Sequence, residues 1–218
     1  METVLKYSYV ISSVIGLICL QRMVFHPLRV LAIYWAMYVL IDLNLEYFDA
    51  GDGKLIRFFY CLLYSVSLAI YVYIFNRKQS LKNYSYWSQC ILVILVFMFS
   101  VFSILYNLNN ETAANDVFLV QGICALYVAL TYFHSILVSS KIMFLSNEPL
   151  FWVATGILFY NAGNIIASGF YHQIYSYSKN LAIALYKLNY ILNIVMSVTF
   201  AISFIIATRK LRLNSDGY

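Results

Sequence analysis

Charged residues are scarce in this chain: only 11% of its 218 residues are Asp, Glu, Lys or Arg, whereas 63% are hydrophobic. A soluble domain carries roughly 25% charged residues and about 45–50% apolar ones, so this sequence cannot coat a water-facing surface. Proline and glycine are also rare, at two and eight residues, which excludes collagen-like and disordered classes. Four cysteines are too few for a disulfide scaffold. An integral membrane protein is therefore predicted.

Long uncharged runs fill most of the sequence. A bilayer core of ~30 Å requires about 20 apolar residues in a helix, and seven runs approach that length. The runs are continuous rather than alternating, which favours helices over the strands of a barrel. The second run is the shortest, and it reaches a full span only if Asp42 lies at the interface. The seven predicted spans are Tyr7–Leu20, Val30–Ile41, Phe58–Phe75, Trp87–Tyr106, Val117–Ser139, Leu150–Phe170 and Leu188–Thr208.

The basic residues predict the orientation of the bundle, because Lys and Arg are enriched in cytoplasmic loops. Nine of the fourteen fall on the side of the first, third and fifth loops and the C-terminal tail: Arg22, Arg29, Arg77, Lys78, Lys82, Lys141, Arg209, Lys210 and Arg212. The sequence thus predicts an all-α polytopic membrane protein with its N-terminus outside and its C-terminus inside. No loop is long enough to fold separately, so residues 1–218 are expected to form one seven-helix domain. A cleavable signal peptide is not expected.

No pattern typical of a membrane enzyme or an ion-coupled carrier is present. All nine acids and all fourteen bases fall at or beyond the ends of the predicted spans, whereas pumps and voltage sensors place an ionisable residue at membrane depth. The sequence contains no zinc-binding HExxH motif, phosphate-binding Walker loop or nucleophile elbow. Neither a catalytic residue, nor a metal, nor a cofactor is therefore predicted. A nucleic-acid surface is not predicted either.

Neutral polar residues recur at helical spacing on the last three spans. An amide in hydrocarbon requires a partner, so the polar faces of the sixth and seventh spans are expected to meet. Hydrogen bonding between helices, and a ligand pocket or gating seam, are alternative interpretations of these stripes. His134 titrates near physiological pH in water, so it is either a proton sensor or a structural histidine. The candidate seam comprises Gln121, Thr131, His134, Tyr160, Asn161, Asn164, Asn193 and Ser197.

Tyrosines form two further stripes. One is a ladder on the second span that leads to an acidic loop, and the other runs down the third span. Tyrosine hydroxyls on these faces are expected either to line a cavity or to lie between helices or against lipid. The two stripes are Tyr34, Tyr38 and Asp42, and Tyr60, Tyr64, Ser67 and Tyr71.

Small residues predict where helices approach closely. Ser12 and Gly16 lie four residues apart on the first span, as Ala32 and Ala36 do on the second. Gly156, Gly163 and Ala167 share a face of the sixth span. Such spacing is typical of small-xxx-small packing between membrane helices. We expect it to serve packing within the bundle rather than dimerisation.

The last two spans carry a resemblance to a known group of proteins. The residues that carry it are Pro149, Phe151, Trp152, Gly156 and Tyr160, followed by Asn189, Asn193, Arg209 and Lys210. In these positions the chain resembles small seven-helix membrane proteins of Bacteroidetes-type bacteria. It is also similar to the seven-helix membrane input modules of sensor histidine kinases. The resemblance implies a sensory component of the bacterial inner membrane that acts with a separate kinase.

Three functions follow as hypotheses. The first is a sensory or signalling component in which a small or lipidic ligand, or a membrane property, shifts the packing of the last three spans. Its output would reach a cytoplasmic partner through Lys141, Arg209, Lys210 and Arg212. The second is a channel or uniporter for a small neutral solute. The third is a membrane-embedded lipid enzyme, for which only Tyr132, His134 and Ser135 lie near one another in sequence.

Overall fold

The computed structural model describes residues 2–23, 25–48, 54–78, 83–107, 113–139 and 145–215. In these ranges the chain is helical apart from short connections, and it forms no strand. The long helices are α1 (Glu2–Cys19), α2 (His26–Phe48), α3 (Lys54–Lys78), α4 (Asn83–Asn107), α5 (Ala113–Ser139), α6 (Pro149–Tyr177) and α7 (Lys179–Ser215).

All seven helices are long and apolar enough to cross a bilayer. The prediction of an all-α chain with seven membrane-length helices is therefore confirmed, and the fold is that of a multi-pass membrane protein. Which end faces the cytoplasm stays a prediction from the basic residues. Lys141 lies outside the described residues.

The last two helices extend beyond the predicted spans on one side of the bundle. The predicted spans end at Phe170 and begin at Leu188, whereas α6 continues to Tyr177 and α7 begins at Lys179. Ser178 alone separates them, and its extended backbone accepts the first hydrogen bond of α7 from the Ala182 N–H, at 3.1 Å. At 1.5 Å per residue, α6 is about 43 Å long and α7 about 55 Å. Both therefore exceed the ~30 Å hydrocarbon core.

Six helices close into a ring. In order around it, α1 packs on α2, α2 on α3, α3 on α5, α5 on α6, α6 on α7, and α7 returns to α1. The remaining helix, α4, lies outside the ring against α3 and α5. Most of its apolar side chains are exposed, including Ile94, Leu95, Phe97, Met98 and Phe102. An exposed apolar surface of this kind suits contact with lipid tails.

Small residues bring ring helices together, as the sequence predicts. A Cβ added at Gly16 would lie 3.0 Å from Cε2 of Phe204 on α7 and 3.3 Å from Cβ of Ala32 on α2. A Cβ at Gly156 would overlap the Thr199 hydroxyl of α7 and lie 3.6 Å from Cα of Met196. The predicted close approach of helices at these glycines is confirmed.

The two halves of the ring differ in chemistry. Seven large apolar side chains are fully buried in the half that contains the start of α2 and α6 and the end of α3 and α7. We call them the apolar plug, and they are part of one continuous core cluster. Large, fully buried side chains of this kind indicate a close-packed interior. The apolar plug consists of Leu28, Leu31, Leu68, Phe75, Leu150, Phe200 and Phe204.

Candidate functional site

The half of the ring opposite the apolar plug contains a cluster of tyrosines. Tyr34 and Tyr38 come from α2, Tyr64 from α3 and Tyr160 from α6. The four side chains lie close enough to one another to interact electrostatically. Each keeps part of its surface accessible. We interpret these partly accessible side chains, which converge from three helices, as the lining of a space within the ring, and we call it the tyrosine cavity.

One wall of the tyrosine cavity is an aromatic cluster on α1 and α2. The ring of Tyr38 stacks on Trp35 with centroids 5.4 Å apart and planes within 4° of parallel. Tyr9 meets Tyr38 edge-on at 6.4 Å, and Tyr34 meets it at 6.3 Å. Aromatic pairs prefer such offset or edge-to-face geometries. The wall is therefore a packed unit rather than a set of independent rings.

The opposite wall runs from α3 to α6. Tyr60 stacks on Tyr64 with centroids 5.9 Å apart, and Tyr64 packs against Phe118 of α5 at 5.1 Å. Phe118 in turn meets Tyr160 at 6.0 Å. The tyrosine stripes that the sequence singled out on the second and third spans therefore lie on neighbouring helices of the ring, α2 and α3.

Asp42 of α2 contributes a carboxylate to this site. It accepts a hydrogen bond from the Tyr60 hydroxyl at 2.6 Å. The hydroxyls of Tyr9, Tyr64 and Tyr160 also lie within electrostatic range of it. Asp42 lies within α2, which continues to Phe48, beyond the end of the second predicted span at Ile41. A half-buried carboxylate therefore lies at one end of the cavity.

Hydrogen bonds hold both walls in place. The Tyr34 hydroxyl donates to the Leu63 carbonyl on α3 at 3.0 Å, and the Trp35 indole donates to the Ser12 hydroxyl on α1 at 2.8 Å. On the α5 side, the Gln121 amide donates to the Ser67 hydroxyl at 3.2 Å. These bonds join different helices, so they fix how the walls sit relative to each other.

The polar faces of the sixth and seventh spans were expected to meet. The amides of the candidate seam instead form their hydrogen bonds to other partners. Asn193 of α7 accepts a hydrogen bond from the Tyr9 hydroxyl of α1 and donates to Asn189 Oδ1 at 2.6 Å. Ser197 donates to the Asn193 carbonyl at 2.9 Å, within its own helix. The helices α6 and α7 do pack extensively. They meet at Gly156 and at Gly163, where an added Cβ would overlap Leu192.

Two amide oxygens on α6 are buried without a hydrogen-bond donor. Asn161 donates to the Ile157 carbonyl at 2.8 Å, but its Oδ1 accepts nothing. That oxygen lies against α5, where a Cβ at Gly122 would be 3.2 Å from it. Asn164, one turn on, lies within hydrogen-bonding reach of the Tyr160 hydroxyl, and its Oδ1 is also unsatisfied. A buried acceptor without a donor costs about 1–3 kcal/mol.

Thr131 belongs to a separate polar chain outside the ring. Asn76 of α3 donates to Gln89 Oε1 at 2.9 Å, and Gln89 donates to the Thr131 hydroxyl at 2.9 Å. The chain ties α4 to α3 and α5. His134 has an exposed side chain on the same half of α5. Ser135 donates to the Tyr132 carbonyl at 3.0 Å, so its hydroxyl is engaged within its own helix.

The remaining candidate residues lie away from the tyrosine cavity. Arg209, Lys210 and Arg212 occupy the last turns of α7, at the end that adjoins the apolar plug. In the described part of the chain, no three His, Cys, Asp or Glu side chains gather where they could hold a metal ion. A cleft of about 430 Å³ opens between α4 and α5 and is lined by Ser88, Ile91, Leu92, Ile123, Cys124 and Tyr127.

Comparison of the whole chain with protein-family models, with curated proteins and with solved structures finds no match.

Sequence reasoning missed three contributors to these sites. Tyr9 and Trp35 were read as ordinary span residues, although they form the α1 and α2 wall of the cavity. Gln89 is the one amide side chain within the fourth predicted span, and that was an available signal. Nothing in the local sequence of Tyr9 distinguishes it from an interfacial tyrosine.

Proposed function

We propose that this protein is a sensory component of a bacterial inner membrane, which takes up a small ligand in the tyrosine cavity and acts on a separate cytoplasmic partner. The observation that carries the proposal is the convergence of four partly accessible tyrosines in one region of the ring: Tyr34, Tyr38, Tyr64 and Tyr160. Ligand sites in helical membrane proteins are typically such cavities between helices, lined by rings and a few polar groups.

The apolar plug supports a receptor over a pore. A path for a polar solute requires polar groups or water along its whole length, because hydrocarbon-like surroundings penalise unpaired polar groups. Here Leu28, Leu31, Phe200 and Phe204 fill one half of the ring without exposed surface. A cavity that is closed at one end suits binding followed by a change in helix packing.

The partner would bind at the end of the bundle that carries the last turns of α7, and Lys141 stays a predicted contact. To test this, the protein is purified from its host in mild detergent and co-purifying proteins are identified. We expect a histidine kinase with the wild type, and its loss when Lys141, Arg209, Lys210 and Arg212 are all changed to Ala. Changing the exposed Lys179 and Lys187 to Ala, at the other end of α7, is the matched control. Equal kinase recovery from all three proteins would contradict the proposal.

A channel or uniporter for a small neutral solute is the second candidate, because amides and hydroxyls line the internal space. Proteoliposomes in a stopped-flow swelling assay with glycerol and urea separate the two functions. The sensory proposal expects no flux above that of protein-free vesicles. A channel would give flux that Asn161→Leu or Asn164→Leu reduces.

A further inference from the structure

We propose that the cleft between α4 and α5 is a lipid site, which holds one acyl chain of a membrane phospholipid and places an ester carbonyl of that lipid at the Ser88 and Tyr127 hydroxyls. The cleft lies on the outside of the ring, so the inference depends neither on the tyrosine cavity nor on the sensory role. Three features carry it: the apolar lining, the two hydroxyls at one end, and the depth of the cleft in the bilayer.

The cleft is apolar and opens away from the ring. Ile91 of α4 and Ile123 of α5 form its rim and are 54% and 59% exposed. Leu92 is half-buried and Cys124 is buried, so these two side chains lie deeper. The volume of about 430 Å³ falls within the ~300–1,000 Å³ of typical small-molecule sites. A molecule that fills the cleft must therefore present hydrocarbon over most of its surface.

Two hydroxyls mark one end of the cleft. The Ser88 and Tyr127 oxygens lie 3.4 Å apart, which is beyond the ~2.5–3.0 Å that is usual for a bond between hydroxyls. At the same end the Gln89 amide donates to the Thr131 hydroxyl at 2.9 Å, and this bond ties α4 to α5. The side chain of Tyr127 is exposed, so its hydroxyl is able to donate to a carbonyl oxygen of a bound molecule.

The depth of the cleft matches that of a lipid in one leaflet. Tyr86 and Trp87 are exposed and precede Ser88 near the start of α4, and aromatic side chains of this kind are typical of the membrane interface. The ester carbonyls of phospholipids lie at the same boundary, between the headgroups and the hydrocarbon core. From Ser88 to Leu92 the cleft follows one helical turn, about 6 Å, toward the middle of α4. An acyl chain whose ester lies at Ser88 therefore continues into the cleft.

The bilayer supplies the occupant. Both helices are long and apolar enough to span a membrane, so the rim of the cleft faces lipid tails. An unfilled groove forfeits the dispersion contacts of its lining atoms, and an apolar groove offers water no hydrogen-bond partners. Because lipid tails are as apolar as leucine, leaving the bilayer contributes little to the binding. Close packing in the cleft and the hydrogen bond from Tyr127 distinguish this lipid from its neighbours.

The test counts the phospholipids that the full chain retains in mild detergent, by native mass spectrometry, with dioleoyl phosphatidylcholine as the added lipid. We expect a single lipid to persist on each chain after the others have been stripped. Ile123→Trp places an indole in the cleft and should weaken the binding of that lipid about tenfold, or about 1.4 kcal/mol. Leu130→Trp adds the same indole at an exposed position of α5 outside the cleft and should leave the binding unchanged.

A second pair of variants repeats the comparison on α4. Ile91 lines the cleft, whereas the exposed Ile94 does not, so Ile91→Trp should lose the lipid and Ile94→Trp should keep it. Circular dichroism shows which variants are folded, and either pair alone is decisive.

The hydroxyl contact is tested with the dialkyl ether analogue of the same lipid, which has no ester carbonyl. The wild type should bind the ester lipid about two- to tenfold more tightly than the ether lipid, which corresponds to the usual net contribution of one hydrogen bond. Tyr127→Phe should remove this preference. Equal binding of the two lipids by the wild type would refute the contact between the ester and the hydroxyls.

The remaining outcomes decide the site itself. Loss of the retained lipid from both rim variants, but from neither control, would support the proposal. Full retention by Ile123→Trp and Ile91→Trp, or no retained lipid on the wild type, would overturn it. A dimer mass that the rim variants abolish would also overturn it, because a second copy of the chain would then occupy the cleft. None of these outcomes involves the recovery of a kinase, so the sensory proposal is tested separately.

Discussion

Gly156→Ala should destabilise the bundle, whereas Gly163→Ala, seven residues later on the same helix, should not. Both glycines lie where α6 contacts α7. An alanine in a helix is intrinsically more favourable than glycine by about 0.8–1.0 kcal/mol. The two sites share this gain, so any difference between the two variants reports on the space available for the new methyl group.

The obstacles at the two sites differ in how easily they move. At Gly156 the new Cβ would overlap the Thr199 hydroxyl and lie 3.3 Å from Thr199 Cβ and 3.6 Å from Met196 Cα. Thr199 is a buried, β-branched residue whose hydroxyl donates to the Met196 carbonyl at 2.8 Å, so it has few alternative positions. At Gly163 the obstacle is the end of the flexible, half-buried Leu192 side chain, which can rotate toward lipid.

The expected magnitudes follow from these contacts. Overpacking costs about 1–3 kcal/mol, and displacing the Thr199 hydroxyl from its acceptor costs a further ~0.5–1.5 kcal/mol. After the gain in helix propensity, Gly156→Ala should lower the free energy of unfolding by about 1–3 kcal/mol. For Gly163→Ala, a rotamer change of roughly 0.5–1.5 kcal/mol offsets the propensity gain, and little net effect is expected.

The assay is reversible unfolding of the full chain by SDS in mixed micelles, followed by circular dichroism. Thr199→Ala should rescue Gly156→Ala, with a coupling energy of at least about 1 kcal/mol in the double-variant cycle. It should not rescue Gly163→Ala. If Gly156→Ala matches the wild type, or if the two changes are additive, then Thr199 is not the obstacle and the close approach of α6 and α7 at this point is wrong.

Three further predictions concern hydrogen bonds between helices and the orientation of the bundle. Gln89→Leu should cost about 1–3 kcal/mol of unfolding free energy, because it leaves Asn76 and Thr131 without their 2.9 Å bonds; an unchanged SDS midpoint would contradict this. Trp35→Phe removes the donor of the 2.8 Å bond to Ser12 and should lower the free energy of unfolding by about 1 kcal/mol. Adding Ser12→Ala to Trp35→Phe should lower it little further, and fully additive losses in the double variant would contradict the pairing. A fluorescent protein that folds only in the cytoplasm should fluoresce when it is fused to the C-terminus. The predicted orientation would be reversed if that fusion is dark and a phosphatase that is active only in the periplasm is active when it is fused at the same position.

The sequence was sufficient to predict the seven helices, because continuous apolar length is what a bilayer selects and it is read directly from residue order. Close approaches at Gly16 and Gly156 were equally accessible, since only a missing side chain allows backbones to come that near. Both features are local, so they need no knowledge of which helix lies beside which.

The pairing of polar residues was not accessible in the same way. The partner of Asn193 is Tyr9, which is 184 residues away in sequence. In water, apolar side chains identify the face of a helix that turns inward, but lipid tails are as apolar as leucine. The ring-facing and lipid-facing sides of these helices are therefore alike in hydrophobicity, and a tyrosine on either side gives the same local pattern.

The full lengths of α6 and α7 could not be predicted for a different reason. Charged and polar residues such as Lys179 and Lys187 end a membrane span, but the end of a span need not be the end of its helix. Lysine is a good helix former, so a helix that leaves the membrane has no reason to stop at it. Ser178 then makes the turn, and its hydroxyl accepts from the Leu181 N–H at 3.4 Å.

The unsatisfied amides of α6 offer a physical route from the tyrosine cavity to the rest of the bundle. Asn164 neighbours Tyr160, a wall residue of the cavity, and Asn161 lies one turn closer to the apolar plug against Gly122 of α5. Each unpaired oxygen costs about 1–3 kcal/mol in this packing, so an arrangement of α6 that supplied a donor would recover that amount. A ligand that moves Tyr160 would need to change that balance by only about 1–3 kcal/mol, which is the usual size of coupling between two sites. Since α6 begins at the plugged end, where the basic turns of α7 also lie, a shift of α6 would reach the surface that the proposed partner contacts.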